Sequence, residues 1–325
     1  MDPRANPTYT ANGPILDKIQ GFGVPMRKRL TNYILHWKMM LFRGQGVVEF
    51  SGANYSPDAF NYGSTPPYVD YTDEAIFFAV DPAIVNSFRE KFDDFWVDTV
   101  NWANYANITG PLTREEPDGT YLIDPQFNFP PEQNYRSRAV SRYNAARVAT
   151  NGRGVDVIMY RITDRAHSDA MINLQATKHI PVRLITEQAQ YRLVDRMWHA
   201  WNVDRMYLAG VQIRDRQHAG LNHQKSVIVY DQDAAAGDQT MVIFGSSNWT
   251  SPSASGQVEH NMFTTRSDLT AWFIDQFNRK WDNLGSSPET KPFTPLPPDA
   301  PKNPLPADAA TEIATSSVLS WLGGP

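Results

Sequence analysis

Leu221-Asn222-His223-Gln224-Lys225-Ser226-Val227-Ile228-Val229, followed by the small-residue turn Phe244-Gly245-Ser246-Ser247-Asn248-Trp249-Thr250, has a counterpart earlier in the same chain. There Asn32-Tyr33-Ile34-Leu35-His36-Trp37-Lys38-Met39-Met40-Leu41-Phe42 precedes Phe50-Ser51-Gly52-Ala53-Asn54-Tyr55-Ser56. Both His-x-Lys stretches read as strands. In a strand, residues i and i+2 leave the same face at ~3.3 Å of rise per residue, so each imidazole lies beside its lysine ammonium. That pairing suits a phosphodiester: the lysine binds a phosphoryl oxygen as a point charge, and the histidine attacks or transfers protons near neutral pH. In the turns, small residues admit a phosphate close to the backbone, and the asparagine amide offers uncharged donors.

The repetition extends outward. Gly23-Val24-Pro25-Met26-Arg27-Lys28-Arg29 matches Gly210-Val211-Gln212-Ile213-Arg214-Asp215-Arg216, and each histidine follows its glycine by 13 residues. Downstream, Glu74-Ala75-Ile76-Phe77-Phe78 and Glu259-His260-Asn261-Met262-Phe263 each open a strand-like segment. Each then runs into an amphipathic helix whose aromatic stripe, Phe88, Phe92 and Trp96 against Phe273, Phe277 and Trp281, falls at i, i+4, i+8. As a stripe this is core packing; its use is as a ruler that aligns two copies of one α/β unit. Ahead of Gly210 lie a strand (Val155 to Ile162), a helix (Ala166 to Lys178), a strand (Pro181 to Thr186) and a helix (Leu193 to Leu208). Ahead of Gly23 there are only 22 residues, so the first copy is expected to lack its opening strands and helix, as if cut from a longer chain.

Two histidine-lysine strands with matched flanks, each followed by a small-residue turn ending in asparagine, resemble the signature of the phospholipase D superfamily, from about Pro14 to Asp282. The resemblance implies an α/β protein of two pseudo-symmetric α-β-α sandwich halves, the first incomplete, followed by a Pro-rich linker. The boundaries expected are 1–100 for the first half, 101–154 for a connecting region rich in Pro, Asn, Gly and Tyr, and 155–285 for the second half. Beyond them, 286–302 is the linker, with eight prolines between Pro288 and Pro306. Residues 303–325 are similar to the first strand of an immunoglobulin-like or fibronectin type III module. One strand makes no sandwich, so this tail is expected to be disordered.

By the same resemblance both histidines face one phosphate. One attacks phosphorus to give a phosphohistidine; the other protonates the leaving alkoxide and then activates water or a second alcohol. Family habit makes His36 the nucleophile and His223 the acid and base, with the reverse left open by the pseudo-symmetry. Lys38, Lys225, Asn54 and Asn248 would hold the phosphoryl oxygens, and Glu74 and Glu259 would orient imidazoles. Ser246, Ser247, Trp249 and Tyr55 are the candidate pocket residues. The resemblance implies no cofactor and no metal ion, since lysine and histidine supply the positive charge. The chain departs from the family pattern at Arg43 and Tyr230, where an aspartate is usual five residues after the lysine, with Asp231 one residue late. It departs again at Ser51-Gly52, where the Gly-Ser order is inverted.

Composition bounds the rest. With 41% apolar and 20% charged residues among 325, the chain has globular proportions, and no run approaches the roughly 18 apolar residues of a membrane span. A net charge of −5 weighs against nucleic acid as substrate, although the superfamily includes metal-independent nucleases. The absence of cysteine excludes disulfides and thiolate chemistry. His167, His179, His199, His218 and His260 show no zinc spacing and read as structural or surface residues. Arg27, Arg29, Arg214 and Arg216 either steer an anionic substrate or cover a sheet edge. The expectation is therefore a monomeric phosphoric diester hydrolase that releases an alcohol such as choline from a phospholipid, with peripheral membrane contact. A noncatalytic cell-surface binding module is the rival outside the enzymes. The trailing module-like tail suggests a secreted bacterial protein, although no signal peptide is visible.

Overall fold

A strand buried on both faces needs apolar residues at consecutive positions, and three segments of the second half meet that demand. In chain order the elements are α1 (Gly13–Gly21), β1 (Met26–Arg29), β2 (Met39–Phe42), β3 (Val47–Ser51), β4 (Ile76–Ala79), α2 (Pro82–Val97), β5 (Trp102–Ala106), β6 (Phe127–Asn128) and α3 (Tyr135–Asn144). They continue with β7 (Val155–Met159), α4 (Arg165–Ile172), β8 (Val182–Thr186), α5 (Gln188–Arg192), α6 (Met197–Leu208), β9 (Gln212–Arg216), β10 (Lys225–Val229) and β11 (Met241–Gly245). The last are α7 (Ser251–Ser255), β12 (Asn261–Thr264), α8 (Ser267–Trp281), β13 (Thr290–Pro292), β14 (Lys302–Leu305) and β15 (Ser320–Leu322). The computed structural model describes residues 1–5, 10–30, 34–56, 59, 71–192, 197–230, 240–285 and 287–296, and the backbone of 302–305 and 320–322.

Every residue of β7, β8 and β10 is buried. Their side chains alternate between two clusters. Val157, Val227, Val229 and Ile243 face one cluster, closed by α3, α4 and α6, and Ile158, Ile228, Val242 and Phe244 face another, closed by α2 and α8. The sheet has the order β13-β9-β8-β7-β10-β11-β12-β6; β7, β8 and β9 run parallel and the other neighbours antiparallel. The first half contributes β2-β3-β4, antiparallel throughout, and a separate β1-β5 pair. Phe50 of β3 stacks on Phe244 of β11 at 5.9 Å and on Phe88 of α2 at 5.0 Å, so the second cluster is also the seam between the halves. At about 1.5–3 kcal/mol for each fully buried phenylalanine, these rings are a large part of what holds the halves together.

The duplicated order is preserved: β1 answers β9, β2 answers β10, β3 answers β11, β4 answers β12 and α2 answers α8. Nothing among the described residues of the first half stands where β7 and β8 stand in the second. The segment 101–154 does more than connect. It gives β5 to β1 and β6 to the edge of the large sheet, and α3 packs on α4 and α7. In the tail, β14 pairs with β15, while Tyr33, Asp231 and the stretch 306–319 lie outside the described residues. No helix among the described residues is long and apolar enough to cross a membrane.

Candidate active site

Each histidine sits just ahead of its strand, not within it, because its backbone is paired to the opposite half. The His36 N–H donates to Val258 O at 3.0 Å, and the Val258 N–H donates to Ile34 O at 3.1 Å. The same two bonds recur in the second half: the His223 N–H donates to Asp73 O at 3.0 Å, and the Asp73 N–H donates to Leu221 O at 2.7 Å. Val258 and Asp73 are the residues before the two glutamates. The carboxylates are therefore exchanged between halves. His36 Nδ1 lies 2.8 Å from Glu259 Oε2, and His223 Nδ1 is hydrogen-bonded to Glu74 Oε1. Each lysine ammonium turns back to donate to the carbonyl of its own histidine, Lys38 to His36 O at 2.7 Å and Lys225 to His223 O.

Five of the six groups are buried and His36 is partly so, and their proton affinities move accordingly. Burial lowers His36, against the opposing charge of Glu259, and burial together with Lys225 lowers His223 well below the ordinary imidazole range. Burial brings Lys38 down to about 7 and Lys225 to about 8. The carboxyls part company. Burial would raise Glu259, but the His36 ring, Lys38 and the Ser246 hydroxyl outweigh it and hold it at about 2. Glu74 is pushed up to about 7 by burial, which Lys225 and Lys38 only partly offset.

The remaining predicted residues divide. Asn248 is buried, with its Oδ1 unpaired, at the end of the second turn, whereas Asn54 is exposed. Tyr55 is also exposed; its hydroxyl donates to Glu49 Oε2 at 2.5 Å, and its ring lines a cavity. Ser246, Ser247 and Trp249 are not pocket residues. The Ser246 Oγ–H donates to Glu259 Oε2 at 2.6 Å, Ser247 Oγ accepts from Asn261 Nδ2 at 2.8 Å, and all three side chains are fully buried. Trp249 stacks on His167 at 5.0 Å inside the α3–α4 cluster. Gly245 has φ 155°, and a Cβ there would stand 2.2 Å from the His260 carbonyl oxygen, so only glycine fits the position that Ser51 holds in the first half.

The arginines settle as structure. Arg27 donates to the carbonyls of Phe95, Trp96, Asp98 and Trp102, and Arg216 to those of Gly220 and Tyr71, so neither guanidinium is turned to an incoming anion. Sequence reasoning missed three residues. Tyr160, at the end of β7, lies 4.6 Å from the His223 ring and 5.4 Å from Lys225 Nζ. Asp73 accepts from Lys280 Nζ at 2.7 Å, and Lys280 also donates to Gln224 Oε1 at 2.8 Å. A lysine on the buried face of α8 was the available signal.

Residues 146–281 match the family described as "Cardiolipin synthase, PLD-like domain". A mitochondrial cardiolipin hydrolase of Chlamydomonas reinhardtii is 26% identical over 130 residues, which is 40% of this chain and 52% of that one. The protein of the same name from Canis lupus familiaris is 30% identical over 95 residues, 28% of this chain and 34% of the other. The chain thus spans about half or less of the length of these curated relatives. Among solved structures, a phosphatidylserine synthase from Haemophilus influenzae Rd KW20 superposes with a TM-score of 0.63 at 12% identity, over 90% of this chain and 72% of the other. At that identity the likeness is one of fold.

Proposed function

We propose, for a chain that belongs to the phospholipase D superfamily, that it hydrolyses a phospholipid at the head-group phosphodiester, releasing an alcohol such as choline and leaving phosphatidic acid. The observation that carries the reading is the exchanged pair of His–Glu contacts. A histidine from each half, held by a carboxylate of the other, stands beside a buried ammonium, an arrangement suited to gripping one phosphate from two sides. Lys38, Lys225 and the Asn248 amide take the phosphoryl oxygens and offset the charge of the pentacoordinate transition state. One imidazole attacks phosphorus while the other serves the leaving oxygen. Lysine and histidine carry the positive charge themselves, so activity is expected to survive EDTA.

Two features favour lipid over nucleic acid. The net charge is −5, and a cavity of about 290 Å³ lined by Leu35, Trp37, Met39, Phe92, Phe95 and Trp96 lies behind the His36 segment. None of the histidines, lysines or glutamates of the cluster lines this cavity, so its apolar walls support an apolar neighbour to the site and say nothing of the reacting phosphate. The test is incubation with choline-phospholipid vesicles, cardiolipin vesicles and plasmid DNA, each with the wild type, His36→Ala and His223→Ala. Head-group release lost in both variants is the expected result. Release retained in both variants refutes the mechanism, and cleavage of plasmid alone replaces lipid by nucleic acid.

A further inference from the structure

The two histidines are equivalent by position and unequal by hydrogen bonding. Glu259 is saturated: Oε2 faces His36 Nδ1 and accepts from Ser246 Oγ at 2.6 Å, and Oε1 accepts from Ser253 Oγ at 2.8 Å. A carboxylate that already accepts two hydroxyl hydrogen bonds stays charged, so the proton between it and His36 sits on Nδ1, and Nε2 carries the lone pair. In the other half Gly52 stands where Ser246 stands. Glu74 receives no hydroxyl there from the described residues, and among them its Oε2 is buried without a hydrogen-bond partner. A Cβ on Gly52 would come within 2.7 Å of that same oxygen, so the site has no room for a serine as it stands. His223 Nδ1 also lies 2.9 Å from Lys225 Nζ, which can only donate. A proton on Nδ1 would face that ammonium N–H to N–H, so the ring nitrogen is held bare. The proton of the His223–Glu74 contact therefore belongs to the carboxyl, and His223 carries its own on Nε2.

We propose that the halves hold opposite tautomers, fixed by Ser246 in one and by Gly52 in the other: His36 presents a bare Nε2 that attacks phosphorus, and His223 presents an Nε2–H backed by a protonated Glu74. The inference rests on the phosphodiesterase reading above and divides the labour within it. In the first step the His36 Nε2 lone pair forms the N–P bond and the P–O bond to the alcohol breaks. The alkoxide takes the His223 Nε2 proton, and Glu74 passes its own proton to Nδ1. In the second step water gives a proton to His223 Nε2 as its oxygen bonds to phosphorus. The P–N bond breaks with its electron pair returning to His36, and the Nδ1 proton goes back to Glu74. Glu74 is a positioning and proton-holding residue, and Ser246 is a positioning residue; neither touches the phosphate. The rise of Glu74 to about 7 through burial agrees with a carboxyl that holds and returns a proton near neutral pH.

The test compares two diesters in wild type and Glu74→Gln, one with an alkyl alcohol and one with p-nitrophenol as leaving group. Glutamine still donates to Nδ1 but has no proton to hand over. Its variant should lose about 10²–10⁴-fold with the alkyl alcohol, the scale of general-acid catalysis, while keeping a p-nitrophenol burst within a few-fold of wild type. Equal loss with both leaving groups overturns the proposal. A wild type that cleaves neither diester sinks the phosphodiesterase reading instead. Because the variant can fail to fold, ¹⁵N spectra of the wild-type histidines give an independent answer, with resonances assigned from His36→Ala and His223→Ala. Unprotonated Nε2 in His36 and unprotonated Nδ1 in His223 support the assignment; one tautomer shared by both overturns it.

Discussion

Behind the two imidazoles the halves have opposite interiors. In the second half Gln224, the residue between histidine and lysine, is held by Lys280, which also grips Asp73; Arg216 reaches the other oxygen of that aspartate at 3.5 Å. In the first half the same places are taken by Trp37 and Phe95, whose rings meet edge to face at 5.1 Å and border the cavity. The difference teaches where duplication is constrained. Backbone pairing, histidine, lysine and glutamate repeat, as the proposed grip on one small anion from opposite sides requires. One layer back, any filling that keeps the segment in place serves, and a buried ion network and an aromatic cluster are two such fillings. The layer beyond differs again. Trp249 is fully buried under α3 and α4, whereas Tyr55, its counterpart after the asparagine, is 46% exposed because nothing among the described residues covers it.

The strongest way to break the comparison is at Glu259. Glu259→Gln removes the charge that holds the His36 tautomer, and kcat should fall about 10³–10⁴-fold for either leaving group, the scale seen when a histidine loses its orienting carboxylate. A fall of less than tenfold would mean that the two glutamates are interchangeable and the hydrogen-bond asymmetry is idle. Next in size is the covering layer. Trp249→Ala should cost about 3–5 kcal/mol in urea unfolding, as for a large aromatic removed from a packed core, while Tyr55→Ala should cost well under half of that. Equal losses would show that the first half is as closely packed around its turn as the second.

These contrasts mark what was legible in the sequence. The repeat was, because an identical spacing from glycine to histidine and an aromatic stripe at i, i+4, i+8 are one-dimensional signals of a duplicated unit. So were the histidines, lysines and glutamates, which the structure gathers into one cluster. The exchange of glutamates between halves was not, since two equivalent carboxylates and two equivalent imidazoles leave the pairing undetermined until the backbones cross at Val258 and Asp73. Ser246, Ser247 and Trp249 were misread for a different reason. Proximity in sequence to an asparagine that ends a turn says nothing about which side of the sheet a side chain enters, and all three enter the protein.

The ion network gives a smaller and more pointed test. Lys280→Met keeps the stem and removes the ammonium from Asp73 and Gln224. Arg216 remains near Asp73, so the loss should be about 1–3 kcal/mol, the cost of leaving buried acceptors unsatisfied, and not the larger cost of an isolated charge. Chemical denaturation of the variant beside Phe95→Leu checks it. If Lys280→Met is neutral, the polar interior of the second half is as replaceable as the aromatic interior of the first.

The smallest effect is a slope. His167 lies in a layer with no counterpart among the described residues of the first half, stacked on Trp249 and beside Tyr143 and Tyr135, and neither ring nitrogen has a hydrogen-bond partner among the described residues. Burial, with Arg136 nearby, holds its pKa at about 3, below the 6.5 it has when exposed. The unfolded chain therefore binds a proton that the folded chain refuses. The stability owed to this group is complete above pH 6.5 and is lost as pH falls from 6.5 toward 3. Buried His260, also held at about 3 by burial, adds to the same loss, so the wild type should weaken steeply across this window. His167→Leu is close to volume-conserving and should change stability at pH 7 by less than about 1.5 kcal/mol. Between pH 6 and pH 4 it should remove one proton's share of the slope, about 1.4 kcal/mol per pH unit. Urea midpoints measured at half-unit steps decide the matter. An unchanged slope would mean that His167 reaches water in the folded state, and the covering layer of the second half would then be less closed than its packing indicates.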